Sequence, residues 1–92
     1  MVDVSGQVLD NLLDNLDRLY DRLCTPADTQ ALLIASAAAL SDGEWSPKML
    51  EAAAAIHAYP KPSDYWETMR DEGWNQHALA ATGELRAALA DR

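Results

Sequence analysis

The sequence predicts an all-α fold, a compact bundle of four to five helices forming a single acidic domain over residues 1–92. Three observations lead there. Alanine and leucine dominate the apolar residues while valine and isoleucine are scarce. The apolar residues recur every three or four positions, with no sustained alternation. A chain of 92 residues can build one hydrophobic core but not two.

The first helix carries the clearest pattern. Leu9, Leu12, Leu16, Leu19 and Leu23 follow a 3-4-3-4 spacing, and Val8, Leu13 and Tyr20 widen the stripe to the breadth a bundle needs. The stripe reads first as a core-facing bundle helix, with use of part of it in a dimer as the alternative. Thr25-Pro26-Ala27-Asp28 then marks a new start at Pro26, with Thr as cap, Pro at the first helical position and Asp placed for a reciprocal cap. The stretch Ala31 to Leu40 is apolar almost all round, as expected of a central helix surrounded by others.

Asp42-Gly43 is expected to end the second helix, Gly taking the left-handed conformation, and Ser46-Pro47 to start a third. With Ser46 as cap, Trp45 and Leu50 have the spacing of a hydrophobic staple. The third helix should bury Met49, Leu50, Ala53 and Ile56 and stop near Ala58, before the extended connector Tyr59-Pro60-Lys61-Pro62. Ser63 can cap a further helix bearing Tyr65, Trp66 and Met69. A last helix runs from Trp74 to Arg92 with Leu79, Leu85 and Leu89. Gly73 and Gly83 leave breaks or kinks open.

Seven basic against fifteen acidic side chains give a formal charge of −8, which argues against direct contact with nucleic-acid phosphates or anionic membranes. The apolar run from Ala31 to Leu40 is about half the ~20 residues of a membrane span. The start Met1 to Gly6 lacks the features of an export signal, so a cytoplasmic location is the default expectation. One cysteine, Cys24, cannot form a disulfide within the chain.

The corner Ala39 to Pro47 resembles the Asp-Gly corner between helices of tellurite-resistance TerB-like bundles, a likeness confined to these few residues that implies no shared function. It departs from an EF-hand, because Leu40 and Met49 stand where oxygen ligands are required. A helix-turn-helix can be laid over Ala39, Gly43 and Met49, but its second helix would offer one Lys beside one Glu, too few cations for DNA.

Catalytic material is sparse: Cys24, His57 and His77, with no Gly-rich loop, paired metal ligands or nucleophile elbow. No cofactor or metal is expected. Two features carry more. Asp10, Asp14, Asp17 and Asp21 share one face of the first helix over about 16 Å. They form either a solvated face or a surface for a basic partner. Tyr59, Tyr65, Trp66 and Trp74 surround the proline connector, with Arg70 four residues from both tryptophans. That set either anchors the connector or serves an interface.

The expected function is therefore a non-enzymatic domain that binds a basic protein, of the kind an immunity protein, antitoxin or phage inhibitor uses against a nucleic-acid-handling enzyme. A homo-oligomerising or adaptor domain, such as a homodimer, is the alternative. A small thiol- or metal-dependent enzyme comes third.

Overall fold

Leucines 9, 12, 16 and 19 are all buried, which fixes how the first helix meets the rest. The computed structural model describes residues 4–59 and 72–92. It contains α1 (Val4–Tyr20), α2 (Pro26–Ala39), α3 (Trp45–His57) and α4 (Glu72–Ala90), with no strand among the described residues. The helix expected after Ser63 lies outside them. The helices pack around a ring, α1 on α2, α2 on α3, α3 on α4 and α4 back on α1, with the α2–α3 seam the most extensive and a lesser contact between α2 and α4 across the ring. The shared core includes those four leucines with Leu33, Met49, Ile56, Trp74, Leu85 and Leu89. Burying each such side chain contributes roughly 1.5–3 kcal/mol.

α1 ends at Tyr20 because the chain reverses at Arg22, whose φ is 63°. The Leu23 N–H donates to the Arg18 carbonyl at 2.8 Å and the Arg22 N–H to that of Leu19 at 3.1 Å, the paired bonds of a Schellman turn. Glycine ordinarily occupies this left-handed position. Here an arginine does, and its guanidinium is anchored by Glu72 and by the Tyr20 carbonyl at 2.6 Å. Leu23 consequently falls beyond the helix and is 73% exposed instead of extending the stripe, and Tyr20 is exposed too.

α2 starts at Pro26 through the expected capping box. The Asp28 N–H donates to Thr25 Oγ1 at 3.2 Å, and the Thr25 N–H donates to Asp28 Oδ2 at 3.1 Å. α2 is not surrounded. It buries Thr29, Leu33, Ser36 and Ala37, while Ala27, Ala31, Ile34, Ala35 and Ala38 face outward.

The corner after α2 closes by a bond from the Gly43 N–H to the Leu40 carbonyl at 2.9 Å, without the expected left-handed glycine. α3 then begins two residues before Pro47, at Trp45. Ser46 is not its cap: it is buried, and its hydroxyl donates to the Ala37 carbonyl of α2 at 3.1 Å. Glu44 stands at the cap with no side-chain bond. Leu50 is half-exposed, so no staple forms; Trp45 lies half-buried against the core with the Lys48 ammonium 5.1 Å over its ring. Ala52 takes the inward place expected of Leu50.

α4 runs unbroken through Gly83, and Gly73 lies in the first turn described for it. Two rings near the start of α4 serve the end of α3, where the last carbonyls have no partner within the helix. Trp74 Nε1 donates to the Ile56 carbonyl at 3.0 Å, and His77 Nε2 lies 2.7 Å from that of Ala55.

Candidate functional site

The acidic stripe is the first candidate, and the fold puts most of it to internal use. Asp14 pairs with Arg18 one turn on, at 3.2 Å. Asp17 receives Arg86 of α4 through Nη2 at 2.7 Å and Nε at 2.9 Å. Asp10 pairs with Arg92. Asp21 is exposed and carries no ion pair among the described residues. The antiparallel course of α1 and α4 brings these groups together, and Arg22 with Glu72 completes the row at its other end. The bidentate hydrogen bonds from Arg22, with Gln76 adding another, push the Glu72 carboxyl down to about 2 from an ordinary 4.5. Arg86 also lies 5.1 Å over the Tyr20 ring. Sequence periodicity found the stripe but missed Arg86, Arg92 and Glu72, whose pairing spans 50 to 82 residues of chain.

The aromatic group divides. Trp74 is 2% exposed and packs in the core, so it presents nothing outward. Tyr59 is half-buried with its ring 5.2 Å from that of His77. Tyr65, Trp66 and Arg70 lie outside the described residues.

The three groups weighed for chemistry go to three different places. Cys24 is half-buried at the α1–α2 joint, with Sγ 3.7 Å from both Thr29 Oγ1 and the Asn15 carbonyl, and burial pushes its thiol up, away from the reactive thiolate. The same joint holds a bond from the buried Thr29 hydroxyl to Asn15 Oδ1 at 2.8 Å. His57 meets Gln30 across the α2–α3 seam at 3.4 Å, and His77 is turned to the end of α3. Among the described residues no three His, Cys, Asp or Glu side chains are grouped to hold a metal ion, and no helix is long and apolar enough to cross a membrane.

Two open grooves flank α4. The α3–α4 groove, about 500 Å³, has a floor of Ala52, Ala55, Ala81 and Ala88 and carries Glu51, Glu84 and Lys48. The α1–α4 groove, about 700 Å³, runs past Leu13, Tyr20, Leu79 and Gly83 and is bridged by Asp17 and Arg86. In each groove small residues line the depression, with charges on or beside it at exposed positions, apart from the half-buried Arg86. Neither a scan of protein-family models nor searches of curated proteins and of solved structures finds a match to the chain.

Proposed function

We propose that this chain is a small acidic protein-binding domain, without bond-making chemistry of its own, whose partner presents a basic surface. One observation carries the reading. Among the described residues all four arginines, Arg18, Arg22, Arg86 and Arg92, are engaged by carboxylates of this same chain. The charge left to face outward from the described residues is therefore negative: among them Asp21, Asp42, Glu44, Glu51, Glu84 and Asp91 are exposed, against Lys48. A field of one sign raises the encounter rate with a protein of the other, and a nucleic-acid-handling protein, whose working surface is basic, is the fitting class. Blocking that surface is the inhibitory role such a domain would perform. Glu51 and Glu84 beside an alanine-floored groove are the strongest contact candidates, with Asp21 as the member of the stripe that has no ion pair among the described residues.

The test is affinity capture from the native host with the wild-type chain and with the Glu51→Lys, Glu84→Lys double variant, eluting at rising salt. Basic proteins should be retained by the wild type, released as salt screens the contact, and lost by the double variant. A retained set that is not basic, or that is indifferent to both changes, contradicts the reading.

A further inference from the structure

We infer that the α3–α4 groove receives an α-helix of the partner, one that carries Lys or Arg on a face otherwise made of small residues. The inference rests on the basic-partner reading and adds the form of the element that docks. Each wall of the groove is a single helix face: the lining positions run from Lys48 to Ala55 on α3 and from Ala81 to Ala88 on α4, both at i, i+3, i+4 and i+7. The depression between them, about 500 Å³, is about 10 Å long at ~1.5 Å per residue, the length of two turns of a third helix laid along it. Ala52 and Leu85 are buried and Ala55, Ala81 and Ala88 half-buried, so nothing large stands on the floor to hold a third backbone away. The floor also offers no polar side chain. An extended segment pressed against it would lose water from its backbone groups without gaining partners, whereas a helix satisfies its own.

Charge selects the face of that helix. Glu51 stands on one wall and Glu84 on the other, both exposed. Neither has an ion pair among the described residues, where Asp10, Asp14, Asp17 and Glu72 all do. The groove's own cation does not serve them, because the Lys48 ammonium lies 5.1 Å over the Trp45 ring. Two carboxylates on opposite walls therefore complement a Lys or Arg projecting from the middle of the docked helix. Arg suits the place best, since its fork of N–H groups can engage two carboxylates at once. Small residues on either side of that cation let the helix settle onto the alanines, and an acidic helix would be repelled.

The test follows amide NMR signals of the isotope-labelled chain during titration with three synthetic peptides of about 18 residues. The first is an alanine-based helix with arginines at every fourth position along one face, the second the same peptide with a central proline, and the third the same helix with Glu replacing Arg. The helical arginine peptide should shift the signals of residues 48–55 and 81–88 and saturate. Glu51→Gln combined with Glu84→Gln should weaken it at least about tenfold, and the central proline, which breaks the helix, by as much. Ala81→Leu raises the floor and leaves both carboxylates, and should also weaken it about tenfold. The wild-type dispersion of signals away from the groove reports that each variant is folded. Shifts centred outside the groove, equal binding of the proline peptide, or indifference to either variant overturn the inference and leave a basic partner in place. A chain that binds neither arginine peptide at about 1 mM, or that binds the Glu peptide as well, overturns both readings.

Discussion

Between α2 and α3 the chain turns through residues 40–44 and the two helices meet over small side chains, whereas α1 and α4, at opposite ends of the sequence, meet beside a row of charges. The first seam has its register set by the short corner, so Ala37, Ala53 and the Ser46 hydroxyl can pack closely. The second joins elements that no short loop aligns. There Asp10 with Arg92, Asp17 with Arg86 and Arg22 with Glu72 define one pairing out of the several that a leucine stripe alone would allow. Exposed pairs of this kind add little stability, with a median of about 0–1 kcal/mol, and their chief effect is to specify alignment. The outward consequences also differ. The seam of charges engages three of the four described arginines, Arg18 pairing with Asp14 along α1, and the seam of small residues leaves Ile34 and Leu50 half-exposed.

Adding volume to the two seams should have opposite effects. Ala53→Leu places three more carbons where Ala53 is 4% exposed, and should lower stability by about 1–3 kcal/mol in urea titration. At Gly83 of α4 an added Cβ would meet nothing within 4 Å, so Gly83→Ala should raise stability by about 0.5–1 kcal/mol. Equal losses at both sites would erase the distinction between a tight seam and a roomy one.

A smaller effect is expected from the charges. A double-mutant cycle of Asp17→Asn and Arg86→Gln should give a coupling of at most about 1 kcal/mol, shrinking as salt is added, because both side chains are well exposed. Acid should act on the other end of the row. Glu72 is depressed to about 2, so its pair with Arg22 supports the fold above pH 4.5 and the support fades as pH falls toward 2. Thermal midpoints across that window should therefore drop more steeply in the wild type than in Arg22→Gly, which keeps the left-handed turn and removes the guanidinium. Parallel slopes would deny the pair any role.

What could be read in advance was local. The leucine spacing of α1 and the Thr25–Asp28 capping box act within a few residues, and Leu9, Leu12, Leu16, Leu19 and the box appear where the pattern puts them, while Leu23, past the turn at Arg22, does not. What could not be read depends on distant chain. Nothing near Arg22 announces a left-handed turn, because its anchor, Glu72, is 50 residues away. Ser46 has the look of a cap until the Ala37 carbonyl comes within reach of its hydroxyl. Trp74 belongs by sequence to an aromatic cluster, and by tertiary placement to the last turn of α3. The acidic stripe was legible as a face, but its arginine partners on α4 were not, and they decide how much of its charge reaches solvent.

The contrast between a seam set by a short corner and a seam aligned by distant charges is tested most directly by reversing one charge pair and then restoring it. Asp17→Arg together with Arg86→Asp exchanges the two charges across the α1–α4 seam. Each single reversal should lower the thermal midpoint, and the double reversal should recover most of the loss at low salt. A double reversal no more stable than the single ones would contradict the aligning role of the pair.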